Sequence, residues 1–172
     1  MNFKSAQGYA LLGILMTGLK HGYDIHNYFC THLNQFWYLG MSQIYALLKR
    51  MEKDGMVAST QKLQETRPPK RIFSITKKGK DSFVSWVQSP VEHIRDIRIE
   101  FMAKLFFIKR LKLDNGGDLI SKQIDVCQKK IGLIEKRGDL DKDGFQIILL
   151  NFKIARIKAT IEWLNQCKTF YI

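Results

Sequence analysis

The spacing of the hydrophobic residues changes once along this chain, and that change limits the folds it can adopt. Elsewhere the apolar positions recur at helical spacing, but residues 56–60 and 71–75 are short segments rich in β-branched residues. Such segments are typical of β-strands. The stretch between them, residues 61–70, is polar and cationic and contains Pro68-Pro69 near its end. The sequence therefore predicts one hairpin with a long tip in a chain that is otherwise helical.

Three short helices are predicted before the hairpin and a fourth after it. Ser5, Ser42 and Thr76 are good N-caps for the first, third and fourth of these helices. The first three helices are expected over about residues 6–17, 22–34 and 42–54. Three helices followed by a hairpin are the order of a winged helix-turn-helix. We therefore expect residues 1–90 to form a DNA-binding domain of this type, in a mainly α fold with a small β-hairpin.

The rest of the chain, residues 91–172, is helical in pattern and is predicted to form a separate helical dimerisation domain. Helices are expected over about residues 91–112, 118–137 and 145–167. The middle helix has apolar residues at alternating spacings of four and three, which is typical of a coiled-coil-like seam. The seam consists of Ile120, Ile124, Cys127, Ile131 and Ile134.

The last helix has two apolar stripes. Together they present more apolar surface than the rest of one chain can cover. The stripes are Phe145, Ile148, Phe152, Ala155 and Ala159, and Ile147, Leu150, Ile154, Ile157, Ile161 and Leu164. One stripe can pack on the chain's own helices, but the second needs another surface. A second subunit is the simplest supplier, and a fully internal helix is the alternative. The predicted dimer contacts are Ile124, Ile131, Ile148, Phe152, Ile154 and Ile161.

The charge balance favours a polyanionic partner. The chain has 28 lysines and arginines against 16 acidic residues, a net charge of +12, and residues 1–90 hold 12 basic and only 5 acidic side chains. Nucleic acid and an acidic membrane surface both fit this excess. The longest apolar run, residues 9–16, is interrupted by Gly13 and is far shorter than the ~20 residues of a membrane-spanning helix. We interpret it as a core helix and expect a cytoplasmic protein without a membrane partner.

Few residues suggest a catalytic or metal-binding function. The three cysteines are widely separated and form no Cys-x-x-Cys pair, so they predict free thiols and no metal site. The four histidines show no pattern for nucleophilic catalysis or metal binding. Paired carboxylates, a Gly-rich phosphate loop and a nucleophile–base pair are also missing from the sequence, so we expect neither an enzyme nor a cofactor.

Three segments of the first half follow one family pattern. They are HGYDI at 21–25, SQIYALLKRMEKDGMV at 42–57 and PPKRIFSITKKG at 68–79. Over about residues 8–87 the chain resembles the winged-helix domain of PadR-family transcriptional regulators. The helical remainder, including FMAKLFF at 101–107, resembles the C-terminal dimerisation region of one branch of the family. The resemblance implies a dimeric, DNA-binding regulator, most often a repressor, without enzymatic activity.

The third helix is the predicted recognition helix. Ile44, Leu47, Leu48 and Met51 should face the core, which leaves Ser42, Gln43, Ala46, Lys49, Arg50 and Lys53 facing outward. Gln43 can pair with adenine, and Ser42 can donate to a phosphate or a base. Tyr45 resembles the family tyrosine whose hydroxyl reaches the DNA backbone. The alternative for each of these residues is a merely solvated helix face.

The hairpin is the predicted wing, and its cations should neutralise phosphates. Lys62, Arg67, Lys70 and Arg71 cluster there, and such contacts gain free energy from counterion release. Arg71 lies on a strand and can instead point inward to serve the fold. The alternative for the whole group is again a solvated surface.

Two functions from different classes remain open. The first is a homodimeric regulator, in the family mostly a repressor, that binds double-stranded DNA at a pseudo-palindromic operator. The second is a helical protein–protein adaptor that keeps the winged helix without specific DNA recognition. Some relatives bind aromatic effectors between subunits, so a small aromatic effector is a further candidate partner. The more ordinary interpretation of Trp37, Trp86 and Trp163 is core or interface packing.

Overall fold

A computed structural model describes residues 5–18, 21–62, 70–136 and 143–171. The contacts divide the chain into two compact units, Met1–Val87 and Gln88–Ile172. The fold is mainly helical with one small antiparallel sheet, as predicted. None of the helices in the described ranges has the length and apolar content needed to cross a bilayer.

The first unit contains four helices and the hairpin. They are α1 (Ala6–Met16), α2 (Gly22–His32), α3 (Met41–Lys53), β1 (Val57–Lys62), β2 (Lys70–Ile75) and α4 (Lys77–Val87). α1 is the centre of the unit, because it packs against α2, α3, α4 and β2. Its residues Leu11, Leu12 and Ile14 are fully buried, and the Ser5 hydroxyl caps its first turn by accepting from the Gly8 N–H at 3.2 Å. The predicted N-cap at Ser5 is therefore confirmed.

Thr76 joins the base of the hairpin to α4 through hydrogen bonds to the preceding backbone. β1 and β2 pair from Val57–Ile75 at the base to Lys62–Lys70. At the base, the Met56 carbonyl accepts from the Thr76 N–H at 3.0 Å, and the Thr76 hydroxyl can donate its one proton to the Gly55 carbonyl at 2.8 Å or to the Met56 carbonyl at 3.0 Å. The same hydroxyl accepts from the Gly79 N–H at 3.1 Å, which confirms Thr76 as the cap of α4.

The second unit contains one short 3-10 helix and three α-helices. They are the 3-10 helix Ile94–Arg98, α5 (Glu100–Arg110), α6 (Gly116–Lys136) and α7 (Gly144–Lys168). α6 and α7 make the most extensive helix–helix contact of the unit. Phe101, Phe107, Leu119, Ile120 and Leu164 are fully buried in this unit.

The prediction of a single helix over residues 91–112 is wrong. The chain reaches α5 only after a non-helical stretch and the 3-10 helix. The Gln123 amide nitrogen on α6 donates to the Val91 carbonyl, which a helix beginning at Val91 would need as the acceptor for the Arg95 N–H. This long-range contact could not be read from the local pattern.

Candidate nucleic-acid interface

α3 has one buried and one exposed face, as a recognition helix requires. Ile44, Leu48 and Met51 are fully buried, whereas Leu47, predicted to face the core, is partly exposed. The exposed positions are Ser42, Gln43, Tyr45, Ala46, Lys49, Arg50 and Lys53. The exposed face is therefore polar and cationic, and none of its members is acidic.

The start of α3 differs from the prediction. The N-cap is Gly40 rather than Ser42, which lies in the first turn, because the helix already begins at Met41. The Gly40 N–H donates to Gln43 Oε1 at 3.0 Å, so the side chain of Gln43 satisfies a backbone donor just before the helix. Gln43 therefore has a structural bond besides any contact it makes with a base. Its amide nitrogen and the second lone pair of Oε1 remain to face a ligand.

Tyr45 packs between α3 and the start of α2. Its side chain is 42% exposed, and its ring lies edge-on to Phe73 with the centroids 6.3 Å apart. A Cβ at Gly22 would lie 2.5 Å from the Tyr45 hydroxyl and Cζ, so only glycine lets the ring approach this closely. The glycine of the HGYDI segment thus places a tyrosine hydroxyl beside the first turn of α2.

Arg71 has a structural role in the first unit. Its Nη2 pairs with Glu52 Oε2, its Nε donates to the Ser59 hydroxyl at 2.8 Å, and that hydroxyl donates to Glu52 Oε1. The guanidinium also lies over the Phe73 ring, 5.4 Å from its centroid. These contacts join α3 to both strands of the hairpin. Arg71 therefore serves the fold, the role that its strand position left open, and its predicted phosphate contact stays a prediction.

The Ser59 hydroxyl and the Arg71 guanidinium hold the pKa of Glu52 below its ordinary value of 4.5, against an opposing effect of burial. A lowered folded-state pKa means that this contribution to stability is present above pH 4.5 and is lost as the pH falls through the folded value. We expect Glu52→Gln to lower the free energy of unfolding by about 0.5–1 kcal/mol at pH 7, since the pair is partly solvated. The loss should be smaller at pH 3 than at pH 7.

Urea unfolding at pH 7 and pH 3 checks this expectation. Asp81→Asn is the matched control, because Asp81 is exposed on α4 and forms no salt bridge within the described residues. A Glu52→Gln deficit of the same size at both pH values would show that the carboxylate charge does not contribute.

The wing residues are only partly described. Lys62 and Lys70 form the last backbone pair of the hairpin ladder. Arg67 lies outside the described residues. The predicted phosphate contacts of these three residues therefore stay predictions.

Ser59, Glu52 and Gly22 are residues of this region that the sequence did not single out. Their positions depend on the register of the hairpin and on the packing of α2 against α3. Among the residues that the structure describes, no group of His, Cys, Asp and Glu is arranged to hold a metal ion. The side chains of Trp37 and Trp86 are buried within the first unit, in keeping with core packing.

The predicted dimer contacts fall into three groups. Ile148 and Phe152 on α7 are 65% and 56% exposed, while Ile131, Ile154 and Ile161 are partly covered. Ile124 is only 7% exposed in the single chain, so little of its surface is available for the predicted dimer contact. It packs in the core of its own unit. The alternative of a fully internal α7 is wrong for the single chain, because most of its first half is exposed.

Three helices followed by a hairpin and a fourth helix, with an exposed cationic face on the third, have the order of a DNA-binding winged helix. The model of the transcriptional regulator PadR-like family matches residues 11–84, and that of the virulence activator alpha C-terminal family matches residues 97–171. The chain is 34% identical to the negative transcriptional regulator PadR of Bacillus subtilis, over 91% of this chain and 92% of that protein. The chain therefore belongs to the PadR family of transcriptional regulators, which confirms the resemblance.

Solved structures of the B. subtilis protein are similar to this chain over nearly its whole length. The crystal structure of B. subtilis PadR in complex with operator DNA matches 98% of this chain and 100% of its own, at 27% identity and a TM-score of 0.50. That of B. subtilis PadR in complex with p-coumaric acid matches 97% of this chain and 99% of its own, at 26% identity and a TM-score of 0.45.

Proposed function

We propose that the protein is a homodimeric repressor that binds a pseudo-palindromic operator. Residues 1–90 would be the DNA-binding domain and residues 91–172 the dimerisation domain. The observation that carries the proposal is the exposed face of α3, which offers Gln43, Lys49 and Arg50 and no acidic residue. Two such helices related by a two-fold axis fit successive major grooves about 34 Å apart. Because a transcriptional regulator acts on DNA, we place the protein in the cytoplasm.

Each residue of this interface has a proposed task. Gln43 would read a base, Ser42 a base or a phosphate, and Tyr45 a phosphate beside the first turn of α2, where backbone N–H groups attract anions. Phosphates would be contacted by Lys49, Arg50, Lys62, Arg67, Lys70 and Arg71. A small aromatic effector remains a further prediction.

The exposed face of α7 supports the dimer. Phe145, Ile148 and Phe152 are all more than half exposed in the single chain, with Ile147 at 49%. A contiguous apolar surface of this kind typically marks a protein–protein contact. In a homodimer the same face would meet its copy across the two-fold axis.

The outward face of α3 disfavours the alternative that the protein is an adaptor. An adaptor without DNA recognition could place acidic or apolar side chains on the outward face of α3. The protein instead has Lys49, Arg50 and Lys53 there. Selecting bound fragments from the source genome with the purified protein tests the two functions directly. A shared, two-fold symmetric footprint supports the proposal, and recovery of random fragments only would contradict it.

Gln43 and Lys49 should differ in what they contribute to DNA binding. Gln43→Ala should lower the preference for the selected operator by about 1–3 kcal/mol at one base position, if Gln43 pairs with adenine. Lys49→Ala should weaken operator and random DNA alike and lower the slope of log affinity against log salt by about 0.9. Titrations with both duplexes at several salt concentrations measure the two effects.

The cap formed by Gln43 requires a stability control. Gln43→Glu keeps an oxygen that can accept from the Gly40 N–H. If its melting temperature equals that of the wild type while its operator preference is lower, the lost preference comes from base recognition and not from the cap. Equal losses on operator and random DNA in Gln43→Ala would instead assign Gln43 to the DNA backbone.

A further inference from the structure

A groove in the second unit combines an apolar floor with a cationic rim. Residues of the 3-10 helix, of α6 and of α7 line it, and all three elements belong to this unit. Its volume is about 220 Å³. Sites for drug-sized ligands typically have roughly 300–1,000 Å³, so this groove suits a smaller molecule.

The floor consists of three isoleucines, one from each element. They are Ile94, Ile134 and Ile157. Ile157 is 4% exposed, and the other two are half-buried. Flat aromatic ligands gain from stacking on aromatic side chains, but none of the described residues that line the groove is aromatic. The floor therefore favours an aliphatic ligand.

The rim carries four cations and, among the described lining residues, no acidic side chain. The cations are Arg95, Lys130, Lys153 and Arg156. Arg95 pairs with Asp96 at 3.5 Å, but its side chain is 80% exposed, so this pair contributes little. Like charges around one groove repel each other, and an anion placed among them relieves the repulsion.

Arg156 is held at the rim by an aromatic contact. Its guanidinium lies over the Phe152 ring, 5.5 Å from the centroid. A guanidinium that is stacked through its face keeps its N–H donors at the edge, where they can bind a carboxylate. The groove thus offers donors for an anion directly beside an apolar floor. A second copy of this chain, with a net charge of +12, is a poor source of that anion.

We propose that this groove binds a small organic anion with an aliphatic body, such as a fatty-acid carboxylate. The aliphatic body covers the three isoleucines, and the anionic head lies among Lys130, Lys153 and Arg156. This site goes beyond the proposed function, which gives the groove no role. Its ligand also differs from the small aromatic effector considered above.

A titration of the full-length protein with octanoate tests the site. Calorimetry should give a dissociation constant of about 0.1–1 mM, as expected for a ligand of about ten non-hydrogen atoms. NMR of isoleucine methyl groups locates the ligand. The methyl signals of Ile94, Ile134 and Ile157 should shift most. Larger shifts at Ile147 and Ile148, on the exposed face of α7, would show adsorption to that face and overturn the proposal.

Two double variants with the same change in net charge test the rim. Lys130→Gln with Lys153→Gln removes two rim cations, and octanoate should bind about tenfold more weakly. The matched control is Lys129→Gln with Lys158→Gln, at exposed positions of the same two helices that do not line the groove. The control should stay within about threefold of the wild type, because exposed charges farther away are screened. An equal loss in both double variants would assign the attraction to overall charge and overturn the site.

A set of related ligands tests the floor and the head group separately. Hexanoate should bind about tenfold more tightly than butanoate, since each buried methylene contributes about fourfold. Octanol, octyltrimethylammonium and inorganic phosphate should each bind at least about tenfold more weakly than octanoate, because each lacks the anion or the aliphatic body. Octyl phosphate shows whether the rim prefers a phosphate head to a carboxylate.

Two results with these ligands would contradict the proposal. Octanol that binds as tightly as octanoate would show that the rim cations do not contribute. Inorganic phosphate that binds as tightly would show a surface attraction for any anion, without use of the floor. None of these measurements involves DNA, so failure of the groove would leave the proposed function intact.

Discussion

Replacing both Ile148 and Phe152 with aspartate should produce a folded monomer with little affinity for the operator. The two side chains lie one turn apart on α7 and are 65% and 56% exposed. Placing two carboxylates in a buried interface is strongly unfavourable, because neither would have a partner there. Loss of the second winged helix should lower operator affinity by about 100-fold or more. Light scattering and operator titration measure the two effects.

The fold of the single chain should tolerate this change. Ile157 and Leu164, the buried residues of α7, are left unaltered. Asn151→Asp is the matched control, because it adds a carboxylate to the same helix at an exposed position that is already polar. A double variant that remains dimeric at tens of micromolar, an order-of-magnitude range for weak dimers, would place the subunit interface elsewhere.

Much of the first unit could be predicted from local sequence signals. The caps depend only on residues within one helix turn, as at Ser5 and Thr76. The apolar spacing of α3 depends only on residues of that helix. These predictions hold in the folded unit because each local conformational preference agrees with the final fold. The exposed, cationic face of α3 was predicted for the same reason.

The second unit shows where local signals are insufficient. Residues 91–98 have helical apolar spacing, but Gln123, more than 30 residues away, binds the backbone of Val91. Likewise, the apolar seam of α6 predicts that Ile124 is buried, but it does not show whether the covering surface belongs to the same chain or to a second subunit. The structure assigns it to the core of its own unit, since the remaining helices already cover it.

The same limit applies to the candidate interface. The positive charge of Arg71 suggested phosphate, yet the hairpin register and the approach of α3 bring it to Glu52 and Ser59. Ser42 is a good N-cap by residue type, but the helix begins earlier, directly after Gly40. Charge and residue type are local properties, whereas the partner of a side chain is decided by contacts across the fold.

Replacing Gly79 with alanine should strongly destabilise the first unit. A Cβ at this position would collide with the Met56 carbonyl oxygen and would lie 2.9 Å from a side-chain carbon of Ile75. That carbonyl accepts from the Thr76 N–H, so it cannot retreat without weakening the junction between β1 and α4. We expect a loss of about 3 kcal/mol in the free energy of unfolding, at the upper end for overpacking.

Two other glycines provide a graded comparison. A methyl group at Gly22 would meet the Tyr45 ring, a side chain that can move, so Gly22→Ala should cost less than Gly79→Ala but should shift Tyr45. A methyl group at Gly132 on α6 would have no heavy atom within 4 Å among the described residues, and Gly132→Ala should leave stability unchanged or raise it by up to about 1 kcal/mol. Thermal unfolding ranks the three variants, and a Gly79→Ala melting temperature equal to that of Gly132→Ala would contradict the proposed junction. Because the backbone carbonyl of Met56 is the obstacle, trimming the Ile75 side chain in the Gly79→Ala background should restore little of the lost stability.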